Sequence, residues 1–233
     1  MTIYRKWFPG ASFAAGGHKT ISGANKQTMS GVQPFTRRRI LMGTVATLTG
    51  VAGPSRPAAA SDAGPPMLET AHHQFTILKP AKPFPSVRLT RLDGVIHDFA
   101  LFEGKVVLVN FWASWCPACK VELTTLDRLQ TSVRRKDLQV VAVSLDQGGR
   151  STVLPFLREL SIKHLDIYLD PDGQIARRSY DENDKIPFPL CGMPVSYVIG
   201  SSGMVEGYMV GETDWLSDAA RNLLGYYARA AQE

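Results

Sequence analysis

The sequence of 233 residues contains only three cysteines, Cys116, Cys119 and Cys191. An odd number cannot form a complete set of disulfides within one chain, so at least one thiol pairs only transiently or not at all. A structural zinc site usually needs four ligands in two clusters, and the five histidines provide no second cluster at ligand spacing. The scarcity of cysteine therefore argues against a disulfide-stapled scaffold and against structural zinc.

Motifs for nucleotide cofactors are also absent. The chain has no G-x-G-x-x-G dinucleotide signature and no P-loop. Residues beyond 75 contain no internal repeat and no low-complexity run. We therefore expect one globular domain that works without a nucleotide cofactor and without a metal.

Acidic residues are missing from the first sixty positions, which carry eight of the 26 basic residues. The remainder of the chain is mildly acidic, so the net charge of +5 belongs to the leader. A basic surface for nucleic acid is therefore not indicated in the body of the protein.

The leader resembles an export signal. A basic cluster in "TRRRIL" precedes an apolar run over 40–53 that is too short to span a bilayer comfortably. The small-residue stretch that follows suits signal peptidase. We predict a twin-arginine (Tat) signal with the pair Arg37-Arg38, cleavage after about Ala60 and a periplasmic product. A general secretory signal and an uncleaved anchor are the alternatives, and Met29 is our hypothesis for the true start.

The body divides into a linker, 61–75, and a single domain, 76–230. Strand-like patterns begin at about Phe75, and Asp93-Gly94 predicts a hairpin turn. The strands are predicted in "SVRLTRL", "VIHDFAL", "KVVLVNF", "LQVVAVSL", "LDIYL", "PVSYVIG" and "MVEGYMV". The helices are predicted from Pro117 to about Arg135, in "STVLPFLREL" with Pro155 near its first turn, in "QIARRSY", and in "TDWLSDAARNLLGYYARA" with Thr213 or Asp214 as cap. This order predicts an α/β fold with a central mixed β-sheet and helices on both faces.

Two of the cysteines lie at a predicted strand-to-helix junction, in "NFWASWCPACK". Cys116 would stand at the helix N-terminus, where unpaired N–H groups and the helix dipole stabilise a thiolate. Pro117 suits the first helical position because its missing N–H costs nothing there. Cys119 would be shielded one turn further in, which is the asymmetry that disulfide exchange requires. A copper role for the three cysteines stays open, since soft thiolates bind Cu(I).

The same helix carries an unexpected carboxyl group. An apolar stripe runs through Leu123, Leu126, Leu129 and Val133, and Glu122 falls inside it, whereas Lys120, Asp127 and Arg128 fall on the other side. A carboxyl among apolar neighbours has a raised pKa and can exchange protons with Cys119 near neutral pH. The alternative is a helix-edge Glu122 that reaches water. Trp112 and Trp115 would form an apolar rim, or be ordinary core and surface aromatics.

These residues resemble those of the TlpA/ResA-like thiol-disulfide oxidoreductases of the thioredoxin superfamily. The likeness covers roughly residues 76–230 and includes the W-x-x-W-C-P-x-C string, the leading hairpin, "LQVVAVSLD", and "GMPVSYVIGSSGMVEGYMVG" with "DW" after it. The resemblance implies a thioredoxin-like fold with an added N-terminal β-hairpin. It also implies that the redox-active disulfide Cys116–Cys119 serves in place of a cofactor.

The resemblance assigns roles to individual residues. Cys116 becomes the nucleophile and Cys119 the resolving cysteine. Glu122 takes the place of a carboxylate implicated in deprotonating the second cysteine. Asn110 stands where cytosolic thioredoxins have a buried Asp, and Pro194 matches a cis-proline that binds substrate backbone.

The sequence departs from the family pattern just before Pro194. Met193 stands where Thr is frequent, and the approach over 180–194 is longer and richer in proline. This approach contains Cys191, which is either a small buried residue or a third thiol near the active site.

The resemblance also implies partners. We expect a monomer that reduces disulfides of exported proteins, such as apocytochrome c or copper-delivery proteins, with electrons from a membrane thiol donor. Membrane contact would come only through an uncleaved leader, and nucleic acid is not expected. A thiol peroxidase and a copper-handling dithiol module are the alternatives.

Overall fold

The computed structural model describes residues 64–179 and 185–229. The predicted leader, the start at Met29 and the cleavage after Ala60 lie outside the described residues. The strands are β1 Thr76–Pro83, β2 Arg88–Arg91, β3 Ile96–Asp98, β4 Val106–Trp112, β5 Leu138–Ser144, β6 Asp166–Leu169, β7 Ala176–Arg177, β8 Phe188–Pro189, β9 Val195–Ile199 and β10 Met204–Val210. The helices are α1 Pro117–Ser132, α2 Arg150–Glu159 and α3 Asp218–Arg229, with a 3-10 turn at Phe99–Phe102.

Eight strands form one mixed sheet in the order β1-β10-β9-β4-β5-β6-β2-β3. The three strands β4, β5 and β6 are parallel, and the other neighbours in this sheet are antiparallel. β4 and β5 are buried along their whole length, as continuous apolar runs predict. The predicted mixed sheet with flanking helices and the added hairpin, β2–β3, are confirmed.

The two faces of the sheet are covered differently. Buried side chains of all three α-helices join one apolar cluster, which also contains Val106 and Leu108 of β4. Val107 and Val109 point to the other cluster, which draws on the 3-10 turn, β7 and β8. Because β4, β5 and β6 follow each other across the sheet, right-handed crossovers place α1 and α2 on the same face. The prediction of helices on both faces is therefore wrong for the described residues.

The missing helix on the second face is the one predicted in "QIARRSY". Ala176–Arg177 instead form β7, which pairs in parallel with β8. The Asp170 carboxylate accepts backbone hydrogen bonds from Gln174, Ile175 and Ala176 at 2.7–2.9 Å. These side-chain bonds hold the segment in a loop and replace the hydrogen bonds that a helix would make.

Two other helices differ from their predicted bounds. Pro155 is the sixth residue of α2 and lies beyond its first turn. Pro155 and Ser151, whose carbonyl loses its helical donor, are both exposed, so water can replace the lost bond. The last helix starts at Asp218, where the Ser217 hydroxyl accepts from the Ala220 N–H, because Asp214 closes an earlier turn by accepting from Leu216.

The chain ahead of β1 also contributes to the core. Within residues 64–75, Leu68 and Phe75 are buried, and the Phe75 N–H donates to the Leu68 carbonyl at 2.8 Å. Both side chains join the cluster that contains the cysteine pair. No helix in the described ranges has the length and hydropathy needed to cross a bilayer.

Candidate active site

The cysteine pair lies between the end of β4 and the start of α1. Cys116 is the N-cap residue of α1, with extended backbone angles of φ −94° and ψ 111°. Its sulfur accepts a hydrogen bond from the Cys119 N–H at 3.2 Å. Pro117 occupies the first turn, where the helix has no use for its missing N–H. The predicted strand-to-helix junction is therefore present, with one backbone donor aimed at the Cys116 sulfur.

The two cysteines form a disulfide, with their Cα atoms 5.3 Å apart. Cys119 is completely buried and Cys116 is 5% exposed. The expected asymmetry has the right direction, but Cys116 is much less open than the sequence suggests. Both residues belong to the apolar cluster beneath α1.

Glu122 lies one turn beyond Cys119 and is 1% exposed, so it does not reach water. Its Oε2 accepts from the side-chain amide of Asn110 at 2.7 Å. Its Oε1 accepts from the indole Nε1 of Trp215 at 2.9 Å, and the backbone of Thr213 donates a further hydrogen bond. The carboxyl is thus held by groups from the sheet and from the segment that precedes α3.

Burial raises the pKa of the Glu122 carboxyl from its ordinary value of 4.5 to about 8. Hydrogen bonds from Trp215, Asn110 and Thr213 oppose this effect because they favour the ionised form. The charge of Glu212 adds to the increase. The result is a carboxyl that can gain or lose a proton near neutral pH, within one helical turn of a cysteine.

The two tryptophans before Cys116 occupy different environments. Trp112 is completely buried and stacks on Phe156 of α2, with ring centroids 5.4 Å apart and planes 18° apart. Trp115 is 70% exposed. The structure therefore places Trp112 in the core and leaves Trp115 to form the apolar surface beside Cys116.

Pro194 directly precedes β9, and the Met193-Pro194 peptide bond is cis, as the resemblance implies. Val195 pairs with Phe111, so Pro194 stands at the end of β4 from which the cysteine loop departs. Met193 packs against the cluster that holds both active-site cysteines. The topology thus brings together two stretches that are more than seventy residues apart in sequence.

Asn110 connects these elements within the sheet. It pairs with Ser196 of β9, and its amide donates to the Ser196 hydroxyl at 2.9 Å as well as to Glu122. A neutral amide at this position donates to the carboxyl, whereas a second carboxylate would repel it.

Cys191 is partly buried and packs against the apolar cluster on the second face of the sheet. Burial raises the pKa of its thiol to about 12. A thiol with so high a pKa is almost entirely protonated at neutral pH and is a poor nucleophile. This environment favours the interpretation of Cys191 as a packed residue.

Sequence reasoning missed Asp146, which follows β5. Its carboxylate accepts from the Ser114 N–H at 3.0 Å, from the Ser114 hydroxyl at 2.7 Å and from the Ser144 hydroxyl at 2.8 Å. These bonds fix the loop that leads into Cys116. The available signal was "SLD" after a buried strand, a position at the same sheet edge as the cysteines.

Trp215 was also missed as an individual residue, although "DW" is part of the family pattern. It is completely buried and reaches Glu122 across 93 positions of sequence.

The prediction that Asp127 lies on the side of α1 away from the apolar stripe is wrong. Asp127 is buried and accepts from the backbone N–H groups of residues 163–165 at 2.7–3.1 Å, so it anchors the loop before β6.

Possible metal ligands do not gather in the parts of the chain that the structure describes. No group of three or more His, Cys, Asp or Glu residues there is arranged to hold a metal ion. The residues at the site are instead two sulfurs, a buried carboxyl and their hydrogen-bond donors, an arrangement suited to moving electrons and protons.

A sequence model of the AhpC/TSA family matches residues 80–207, which is more than half of the chain, and the protein belongs to that family. The predicted resemblance to TlpA/ResA-like thiol-disulfide oxidoreductases is confirmed by its curated relatives. The thiol-disulfide oxidoreductase ResA of Oceanobacillus iheyensis is 32% identical over 47% of this chain and 51% of the relative. The thiol:disulfide interchange protein CycY of Rhizobium leguminosarum bv. viciae is 34% identical over 51% of this chain and 56% of the relative.

The fold is shared with solved structures. A Chlorobium tepidum chain described as a thiol:disulfide interchange protein DsbE superposes with a TM-score of 0.52 and 25% identity, over 64% of this chain and 96% of that one. The thioredoxin-like fold predicted from sequence is therefore confirmed. The chain spans only about half the length of the curated relatives ResA and CycY.

Proposed function

We propose that this protein catalyses thiol–disulfide exchange through Cys116 and Cys119, and that it reduces disulfides of exported proteins. The observation that carries the proposal is the disulfide at the N-terminus of α1, with a buried carboxyl of raised pKa one turn away. The names of the relatives ResA and CycY support the reaction class.

In the proposed reaction, the Cys116 thiolate attacks one sulfur of a client disulfide. A mixed disulfide forms, and the other client sulfur leaves as a thiolate. Glu122 in its carboxylate form takes the proton of Cys119, and the Cys119 thiolate then attacks the Cys116 sulfur. The client leaves as a dithiol and the protein becomes the Cys116–Cys119 disulfide, so two electrons pass from protein to client.

The surroundings of the pair support the reducing direction. A dithiol becomes a stronger oxidant when its thiolate form is strongly stabilised. Lys120 is the basic residue nearest in sequence to the two cysteines. Its Nζ lies 5.3 Å from the centroid of the Phe156 ring and 3.8 Å from a carboxylate oxygen of Glu159. Its charge is therefore engaged with α2, and the buried Glu122 disfavours a second negative charge at Cys119.

Trapping a client tests the proposal. Cys119→Ser keeps the attacking sulfur and removes the resolving one, so incubation of the reduced variant with a disulfide-containing peptide should give a stable mixed disulfide at Cys116. Cys116→Ser, the matched control, should trap nothing, and Cys191→Ser should react as the unaltered protein does. Trapping by Cys116→Ser at the same rate would contradict the assigned roles.

The place of action is also a proposal. The predicted twin-arginine leader supports export to the periplasm, where a membrane thiol donor would return two electrons to the disulfide. Apocytochrome c and copper-delivery proteins are the proposed clients. Copper binding by the dithiol without turnover is the alternative, and a titration of the reduced protein with Cu(I), compared with Cys116→Ser, separates the two.

A further inference from the structure

The Glu122 carboxyl accepts hydrogen bonds from two sides. The Asn110 amide reaches Oε2 from β4, and the Trp215 indole reaches Oε1 from the segment between β10 and α3. An indole N–H has no acceptor capacity, so Oε1 must act as the acceptor whatever the protonation state of the carboxyl. The proton of a neutral Glu122 is thereby confined to the lone pairs that the donors leave open.

The segment that carries Trp215 also touches the proline. The Gly211 N–H donates to the Pro194 carbonyl at 2.8 Å, and the Thr213 backbone donates to Glu122. Trp215 is completely buried in the same apolar cluster as Cys116 and Cys119. The segment 211–215 therefore reaches the predicted substrate-binding proline through Gly211 and the predicted proton-transfer group through Thr213 and Trp215.

We propose that Trp215 is a positioning residue for proton transfer at Cys119, because its indole N–H fixes one oxygen of Glu122 and favours the ionised form of the carboxyl. The proposal rests on the proposed function, in which Glu122 must be ionised to accept the Cys119 proton. Burial alone would leave the carboxyl neutral, and a neutral carboxyl cannot act as a base.

Few other charges act on this carboxyl. Glu212 disfavours its ionisation from the same segment, and Asn110, which reaches it from the sheet, is neutral. On its own helix Lys120 is paired with Glu159 at 3.8 Å, and Cys119 does not titrate while it forms the disulfide. The oxidised protein therefore isolates the effect of Trp215 on Glu122.

The test is a pH titration of the oxidised protein, in which NMR of ¹³C-labelled glutamate reports the ionisation of the Glu122 carboxyl. Trp215→Phe keeps an aromatic ring in the core and removes the donor. The Glu122 midpoint should rise, with the ionised fraction at a given pH falling roughly tenfold. The matched control is Trp112→Phe, which makes the same change at another buried tryptophan whose N–H has no hydrogen-bond partner among the described residues. It should leave the midpoint in place.

A second measurement needs no variant and so remains decisive if Trp215→Phe does not fold. In the unaltered protein, the indole N–H resonance of Trp215 should shift with pH at the same midpoint as the Glu122 carboxyl. An indole resonance that ignores the carboxyl titration, or equal midpoints in both tryptophan variants, would overturn the proposal.

The reaction itself supplies the third readout. Reduced Trp215→Phe should resolve its mixed disulfide more slowly near neutral pH and recover at higher pH, whereas a purely structural defect would slow it at every pH. If the unaltered protein fails to exchange disulfides but the titration result holds, the proposed function falls and the positioning of Glu122 stands.

Discussion

The side-chain amide of Asn110 lies 2.7 Å from the carboxyl of Glu122 and joins the middle of β4 to the second turn of α1. This bond crosses from the sheet to the helix that carries the cysteines, so the carboxyl has a fixed position relative to Cys119. Burial and hydrogen bonding act on it in opposite directions, and burial dominates. The resulting pKa of about 8 leaves both protonation states accessible at the pH where disulfide exchange operates.

The raised pKa of Glu122 predicts a particular dependence of stability on pH. In the unfolded chain the carboxyl ionises near 4.5, whereas in the folded protein it ionises near 8. The stability associated with the neutral carboxyl is fully present below pH 4.5 and is lost as the pH rises through 8. The unaltered protein should therefore lose on the order of a few kcal/mol across this window.

Glu122→Gln should remove most of that loss, because an amide does not ionise. Urea unfolding of both oxidised proteins at pH 5, 7 and 9 measures the difference. The variant should gain relative to the unaltered protein as the pH rises. Parallel stability curves across the whole range would show that Glu122 is not buried in a neutral form.

Asp146 predicts a second, local effect. It binds the Ser114 N–H and hydroxyl, and it holds the loop ahead of Cys116. Asp146→Ala leaves these donors without their acceptor and should cost roughly 1–3 kcal/mol of stability, together with slower disulfide exchange. Asp146→Asn keeps one acceptor oxygen and should be milder. Equal stability and equal rates in all three proteins would mean that the loop does not depend on Asp146.

The Cys191 thiol should react slowly with alkylating reagents in the folded protein. Because its thiol has a pKa of about 12, iodoacetamide at pH 8 should label the oxidised native protein very slowly. Unfolding in urea should restore ordinary reactivity, which provides the internal control. Rapid labelling of the native protein, or a disulfide between Cys191 and Cys116 after mild oxidation, would support a functional third thiol instead.

The fold was predictable where local patterns and burial agree. β4 and β5 are continuous apolar runs and are buried throughout, and Asp93-Gly94 forms the expected turn between β2 and β3. β1 was not predicted as a strand, because it contains Pro80 and Pro83 and proline is uncommon in strands. Such prolines are tolerated here because β1 lies at the edge of the sheet. The loop around Asp170 was not foreseen, because the Asp170 carboxylate replaces the helical hydrogen bonds of the residues that follow it, and hydrophobic periodicity does not report such side-chain bonds.

The same division applies to the site. Cys116, Cys119 and Glu122 lie within the first two turns of α1 or at its N-cap. Helical periodicity is therefore sufficient to predict that they are close together. Trp215 approaches Glu122 only because β10 returns beside β9 and the chain then crosses the end of the sheet. Asp146 likewise reaches Ser114 because β5 lies parallel to β4. Contacts of this kind depend on strand order, which local patterns do not contain.

The reduction potential of the Cys116–Cys119 couple tests the central claim most directly. It can be measured by equilibrating the protein with glutathione or thioredoxin buffers and counting oxidised and reduced forms by mass. The proposed reductant should have a potential close to that of thioredoxin, about −270 mV. A value near about −120 mV, typical of a strong oxidant, would contradict the account.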